Sequence, residues 1–248
     1  MAPPQGGCRD GSPATAAPLG RPWCFNAAML RLAGLAFAAF ALVTPAARAR
    51  VIEVGRTDAT PACPRSPCLA VSRTTGYQVK VGAARGRFVI PAKGKIVAWS
   101  ISLGKPTRRQ ITFFNRHLGG PASAQLSVLR QGKRLYSRVV THSPVEQLEP
   151  YFGQTVQFPL GRTLNVKKGY VIALTVPTWA PALTQLLADG SSWRASRPLN
   201  RCTDTTTQTA QLHLKDLTRY RCLYKARLTY SATLVTNPAP TKPASGGR

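Results

Sequence analysis

From residue 68 onward, apolar side chains recur at every second position, which is the period of a β-strand with one buried face. The longest alternation runs over residues 224–234 and predicts a single eleven-residue strand. Residues 170–176 (YVIALTV) are apolar on both faces, which predicts a central strand covered on each side. Further strands are predicted over residues 97–103, 124–128 and 155–160. In the first of these, Val97, Trp99 and Ile101 share the face that the alternation assigns to the core.

Turn residues separate these segments and indicate the fold class. Gly132 and Gly169 lie in short polar stretches that predict hairpins. No stretch of about twelve residues shows the period of an amphipathic helix, and only residues 183–188 suggest a helical turn. About ten short strands predict an all-β fold, an antiparallel β-sandwich stapled by two disulfides. The rhythm of residues 158–174 is typical of a jelly roll.

Residues 29–49 have the features of an export signal. Met29-Leu30-Arg31 is a basic start, residues 32–43 are apolar, and Ala47-Arg48-Ala49 is a small-x-small cleavage motif. The apolar run of about 12 residues is shorter than the roughly 20 that span a bilayer. A retained membrane anchor is the alternative. Residues 1–28 lack periodicity, so Met29 is the more natural start, although a long leader segment would look similar.

These features divide the chain into three parts. Residues 1–49 are expected to be an N-terminal extension and cleaved signal peptide. Residues 50–236 are expected to form one β-sandwich domain. Residues 237–248 have too little apolar content to fold and are expected to form a disordered tail.

Four cysteines remain after cleavage: Cys63, Cys68, Cys202 and Cys222. An even count in an exported chain indicates two disulfides, and four cysteines allow three connectivities. Pairing of near neighbours, Cys63–Cys68 and Cys202–Cys222, is the simplest. We expect no metal site and no cofactor, because the cysteine spacing is not CxxC and the three histidines lie in separate segments.

The charge favours polyanionic partners. The full chain has a formal charge of +26, and residues 50–248 retain 30 basic and 7 acidic side chains, or +23. The electric field of so many positive charges attracts anionic polymers. The alternative is that a GC-rich coding sequence raised the arginine content and that the charge has no function. Export disfavours nucleic acid as the partner. The candidate partners are therefore anionic or neutral polysaccharides of the cell envelope, and the oligomeric state is left open.

Several short segments resemble a family of secreted actinobacterial proteins. These segments are residues 94–100, 104–107, 112–115, 143–146, 173–181 and 193–197. The resemblance covers about residues 60–236, and the cysteines occupy that family's positions. It implies an exported β-sandwich from a GC-rich, Gram-positive source, and it implies no activity.

Catalytic motifs are weak in this sequence. Glu146 and Glu149 are closely spaced carboxylates, and a glycosidase needs two carboxylates about 5–10 Å apart. The more ordinary interpretation is a solvated loop that balances nearby arginines. No GxSxG or phosphate-binding loop occurs, and His213 is expected on the exposed side of a strand. We therefore expect no enzyme; the alternative is a secreted glycan-acting hydrolase that uses Glu146 and Glu149.

Aromatic residues outside the predicted strands are the candidate ligand-stacking groups. They are Trp179, Trp193, Tyr151 and Phe152. In loops beside arginines such rings stack on sugars, and the alternative is that they close the ends of the sandwich. The expected function is an exported non-catalytic β-sandwich module that binds cell-envelope carbohydrate or another anionic polymer.

The cleavage motif predicts that the secreted protein begins at Arg50. N-terminal sequencing and intact mass of secreted material would measure this end directly. A secreted product that still contains residues 32–43 would contradict the prediction.

Overall fold

Antiparallel strands make up most of the described chain, as the alternation predicted. The computed structural model describes residues 48–55, 61, 70–184 and 190–238, and these residues belong to one compact unit. Cys63, Cys68, most of the export signal and residues 239–248 lie outside the described residues. The strands are β1 (Val51–Val54), β2 (Val71–Val81), β3 (Ala84–Arg85), β4 (Gly94–Ser102), β5 (Ser123–Gln131), β6 (Tyr136–His142), β7 (Glu146–Gln147), β8 (Thr155–Val166), β9 (Val171–Ala180), β10 (Leu183–Thr184), β11 (Ser192–Ala195), β12 (Leu217–Arg219), β13 (Cys222–Tyr224), β14 (Arg227–Leu228) and β15 (Tyr230–Thr236).

A four-stranded sheet in the order β1-β15-β4-β8 forms one side of the apolar core. Trp99 is fully buried on β4, as predicted, and its ring centroid lies 4.9 Å from that of Phe158 on β8. Tyr230 on β15 reaches across the core, and its hydroxyl donates to the carbonyl oxygen of Ile172 on β9 at 3.0 Å. The two sheets are therefore joined by packing and by at least one buried hydrogen bond.

A bulge in β4 corrects the predicted register of this sheet. The pairing with β15 passes from Ile96 to Ala98 with no residue opposite Val97, so Val97 is an extra residue, and it is only half-buried. Ile96 takes the core position before the bulge, and Trp99 and Ile101 take it afterwards. The pairing of β4 with β8 also shifts at this point and leaves residues 160–163 of β8 unpaired, and β8 continues past them as one strand. A bulge changes which face each side chain occupies, so strict alternation assigned Val97 wrongly.

The second sheet curls until its edges meet. Its strands lie in the order β12-β6-β5-β9-β2-β11-β13, and β9 is central, as predicted. The edge strands β12 and β13 are consecutive in sequence and are separated only by Tyr220 and Arg221. Three residue steps span at most about 11 Å, so this link holds the two edges together. The Cys202–Cys222 disulfide confirms one of the predicted pairs.

The predicted strand over residues 224–234 is wrong, because this segment passes from one sheet to the other. It is divided into β13, β14 and β15, with breaks at residues 225–226 and 229. The buried amide of Gln78 serves the backbone at the first break: its Nε2 donates to the Ala226 carbonyl at 3.1 Å, and its Oε1 accepts from Leu228 N–H at 2.9 Å. These bonds satisfy backbone groups that would otherwise be buried without partners.

One helix, α1 (Arg108–His117), was not predicted from the sequence. Thr107 and Gln110 form a capping box at its N-terminus. Phe114 is buried and Ile111 partly so, so only a narrow side of the helix faces the core. The capping box ahead of apolar residues at positions 111, 114 and 118 was the available signal.

The face of the curled sheet turned away from the apolar core is buried and polar. Ser127 Oγ lies 2.7 Å from Thr175 Oγ1, which lies 3.0 Å from Thr75 Oγ1. The segment between β11 and β12 covers these side chains, and the backbone N–H of Gln211 donates to Thr75 Oγ1 at 3.0 Å. The period-two pattern of β5 implied a solvated face for Ser127, and this is wrong because the covering segment excludes water.

Removal of the disulfide should destabilise the fold. The bond closes a loop with a sequence separation of 20, and restriction of the unfolded chain is worth about 3 kcal/mol for such a loop. Denaturant unfolding of a Cys202→Ala/Cys222→Ala variant should show a loss of about this size in the free energy of unfolding. An unchanged midpoint would contradict the prediction, and non-reducing peptide mapping of the unmutated chain is the control.

Three buried tyrosines should make the fold sensitive to alkali. Burial raises the pKa of the Tyr77, Tyr220 and Tyr230 phenols above the usual value. The unfolded chain ionises these groups near about pH 10, so their contribution to stability is complete below that pH and is lost as the pH rises through the folded pKa values. Absorbance titration should show their ionisation only with loss of tertiary circular dichroism. The difference between the spectra of the unmutated chain and a Tyr220→Phe variant reports the ionisation of Tyr220. Phenolate absorbance in this difference while the protein is still folded would contradict the prediction.

Candidate ligand-binding cleft

An open cleft of about 580 Å³ lies beside the junction of the sheet edges. β6 contributes Tyr136, β12 contributes Thr218 and Arg219, and the link between the edges contributes Arg221. The opposite side comes from Pro198 and from the 3₁₀ turn Leu199–Arg201. Leu199 is 60% exposed and gives the cleft an apolar wall.

A stacked arginine and tyrosine form the centre of this cleft. The antiparallel register of β12 and β6 places Arg219 opposite Tyr136, so the two side chains share one face. The Arg219 guanidinium carbon lies 5.6 Å from the Tyr136 ring centroid, and its Nε donates to the Arg134 carbonyl at 2.8 Å. Arg219 is thus held over a ring that is 42% exposed.

Covalent and hydrogen bonds fix the two sides of the cleft relative to each other. Cys202 directly follows the 3₁₀ turn, and Cys222 directly follows Arg221, so the disulfide joins both sides with 5.4 Å between the Cα atoms. Arg194 Nη1 donates to the carbonyl oxygens of Tyr220 and Arg221, each at 3.2 Å. The backbone that presents Arg221 is therefore held in place, while its guanidinium has no hydrogen bond or ion pair with any described residue.

A second, polar compartment of about 310 Å³ adjoins the first. The two share Pro198 and Thr218. Ser196, Gln208, Thr209, Gln211 and Asp216 are among the residues that line it. Among the described residues that line the two compartments, the arginines belong to the first and the single carboxylate, Asp216, to the second.

The two tryptophans predicted to stack on a ligand are buried. Trp179 lies in β9, is fully buried, and donates from Nε1 to Asn115 Oδ1 at 2.8 Å. Trp193 lies in β11 and stacks on Tyr224 with ring centroids 4.6 Å apart. The expectation that they lie in loops is wrong, and neither ring has a face open to a ligand.

Trp179 belongs to a strand although a proline lies on each side of it in the sequence. Pro177 normally interrupts a sheet because it lacks an N–H. Here the pairing of β2 with β9 shifts between Ser72 and Thr74, opposite the segment that contains Pro177. The strand continues through the proline at this bulge, which places Trp179 in the sheet.

Tyr151 and Phe152 are partly buried and pack at the end of the core. Tyr151 meets Phe158 edge-on with centroids 5.4 Å apart, and the Phe152 ring lies 5.5 Å from that of Trp179. They lie outside the cleft. The interpretation in which aromatic side chains close the end of the sandwich fits their contacts.

The two candidate catalytic carboxylates lie in short elements outside the cleft. Glu149 Oε1 accepts a hydrogen bond from Asn115 Nδ2 at 2.9 Å, and the same Asn115 accepts from Trp179. Glu146 lies in β7, which pairs with β5. Neither carboxylate lines the cleft. Glu149 therefore joins α1 to the 3₁₀ turn Glu149–Tyr151.

His213 is exposed, as predicted, but it lies in a bend and not in a strand. Its backbone N–H donates to Asp216 Oδ2 at 3.0 Å. Among the described residues, no three His, Cys, Asp or Glu side chains are grouped so that they could hold a metal ion. The described part of the chain also contains no helix with the length and apolar character needed to cross a membrane.

Comparison with protein-family models, with curated proteins and with solved structures finds no match. The resemblance to secreted actinobacterial proteins therefore stays an expectation from the sequence. The chemistry of the cleft is the remaining guide to function.

Proposed function

We propose that this protein is an exported, non-catalytic module that binds an anionic polysaccharide of the cell envelope through the cleft beside β12. The observation that carries the proposal is the fixed Arg219–Tyr136 pair. The part of Tyr136 that stays exposed beside Arg219 offers apolar ring surface to a sugar, and a fixed guanidinium suits a carboxylate or phosphate on that sugar.

The shape and charge of the cleft support a polymeric ligand. Its open form admits a chain that continues beyond the contact at both ends, whereas small-molecule pockets enclose most of their ligand. No acidic side chain is among the described residues that line the larger compartment, and the Arg221 guanidinium there has no partner among those residues. The formal charge of +23 on residues 50–248 adds long-range attraction for any polyanion.

Export belongs to the same proposal. The Cys202–Cys222 disulfide supports it, because structural disulfides persist in oxidising compartments. We include in this proposal cleavage after Ala49, a second bond between Cys63 and Cys68, and a jelly-roll-like arrangement of the strands. The cell envelope would then be the compartment in which the cleft meets its ligand.

Replacing both cleft arginines should weaken binding to an acidic glycan. We expect an Arg219→Ala/Arg221→Ala variant to lose about tenfold or more in affinity for purified cell-wall polysaccharide, since one charge-assisted hydrogen bond is worth roughly 1.5–3 kcal/mol. Isothermal titration calorimetry at several salt concentrations would measure this. Affinity of the unmutated chain should fall as salt rises and screens the contacts.

The matched control is Arg108→Ala/Arg109→Ala, which removes the same charge from the exposed start of α1. It should change the affinity by less than about twofold. Equal losses in the two variants would show that net charge alone attracts the polymer, and the proposed site would be wrong. The electrostatic proposal would also be contradicted if a neutral glycan bound at high salt as tightly as the acidic glycan does.

A further inference from the structure

We infer that the cleft selects acidic glycans in which charged and uncharged sugars alternate, over polymers that carry a negative charge on every unit. This inference rests on the proposed function and specifies its ligand class. The structural basis is the opposite chemistry of two adjoining compartments, which meet at Pro198 and Thr218. A single chain bound along the cleft would contact both.

The larger compartment is suited to an anion. Arg219 is fixed over Tyr136 by the Arg134 carbonyl, and Arg221 is presented from the link that closes the sheet. The guanidinium of Arg221 has no partner among the described residues. A sugar that carries a carboxylate or phosphate would find a ring to stack on and two donors for its charge.

The smaller compartment is suited to an uncharged, hydroxyl-rich unit. Asp216 lines this compartment, and its Oδ2 accepts a hydrogen bond from the His213 backbone N–H. Its negative charge has no ion-pair partner among the described residues. A second anion placed here would be repelled by this carboxylate. A sugar hydroxyl, in contrast, would donate a hydrogen bond to it.

Neutral polar side chains complete this compartment. Gln208, Thr209, Thr218 and Gln211 line it, and their hydroxyl and amide groups suit sugar hydroxyls. Gln211 Oε1 accepts from the Tyr220 hydroxyl, while its Nε2 is buried without a partner among the described residues. A ligand hydroxyl that reaches this amide would supply the missing acceptor.

The spacing of charge along the polymer then decides the affinity. When a charged sugar occupies the arginine compartment, an alternating polymer places a neutral sugar beside Asp216. A uniformly charged polymer places a second anion there. Polyphosphate, nucleic acid and homopolymers of uronic acid all have this disadvantage, although they carry more charge per length.

The test compares oligosaccharides of equal length from hyaluronan, with a carboxylate on alternate sugars, and from polygalacturonate, with a carboxylate on every sugar. Calorimetry at fixed salt would measure both with the unmutated chain and with Asp216→Asn. The asparagine keeps an oxygen to accept from His213 N–H. We expect the unmutated chain to prefer the hyaluronan fragment, and the variant to bind the galacturonate fragment about five- to tenfold more tightly, with less than a twofold change for hyaluronan.

Glu53→Gln is the matched control, because it also removes one negative charge, from β1 of the other sheet. It should leave the ratio of the two affinities unchanged. Two results would overturn this inference. One is an equal gain in affinity for the galacturonate fragment in Glu53→Gln and Asp216→Asn. The other is a ratio of the two affinities in Asp216→Asn that equals the ratio in the unmutated chain. If Arg219→Ala/Arg221→Ala leaves both affinities unchanged, the proposed function itself is wrong. This result can be told apart from the two results that overturn the inference on charge spacing alone.

Discussion

The meeting of the two edges of the curled sheet is the constraint on which the rest of the structure depends. β12 and β13 lie at opposite ends of the strand order and yet are joined by Tyr220 and Arg221 alone. A link this short forces the sheet to curl, and the Cys202–Cys222 bond fastens the covering segment at the same place. The cleft is a consequence of this closure, because its two sides are the link and the 3₁₀ turn that the disulfide joins.

Closure also explains the polar layer on the face of the curled sheet that is turned away from the apolar core. Thr75, Thr175 and Ser127 would suit a solvated sheet surface, but the segment that leads to β12 covers them. Their hydroxyls bond to one another and to the Gln211 backbone, so these three hydroxyl groups have protein partners. Such a network is sensitive to geometry, because removing one member leaves the next without a partner. It therefore ties the position of the covering segment, and hence the cleft, to the register of the sheet.

The positive charge of the chain can contribute to selective binding only where the fold positions individual charged side chains. A formal charge of +26 gives general attraction to polyanions, and many arginines are exposed on turns and strand faces. Arg219 differs from those because strand pairing sets it over Tyr136 and a backbone carbonyl holds it there. Asp216 lies nearby with no cation paired to it among the described residues. The pair of opposite charges in one cleft gives a basis for selectivity that net charge cannot give.

The sequence by itself determined the antiparallel β class, the central position of β9, the burial of Trp99 and one disulfide. Each of these depends on local alternation, on continuous apolar character or on cysteine spacing. The bulge at Val97, the breaks in residues 224–234 and the burial of Trp179 and Trp193 were decided by partner strands that lie far away in sequence. The cleft was hidden for the same reason: Tyr136 and Arg219 are 83 positions apart and meet only because β6 pairs with β12. Period and composition report what one segment contributes to a fold, whereas register, closure and the covering of one segment by another depend on the tertiary structure.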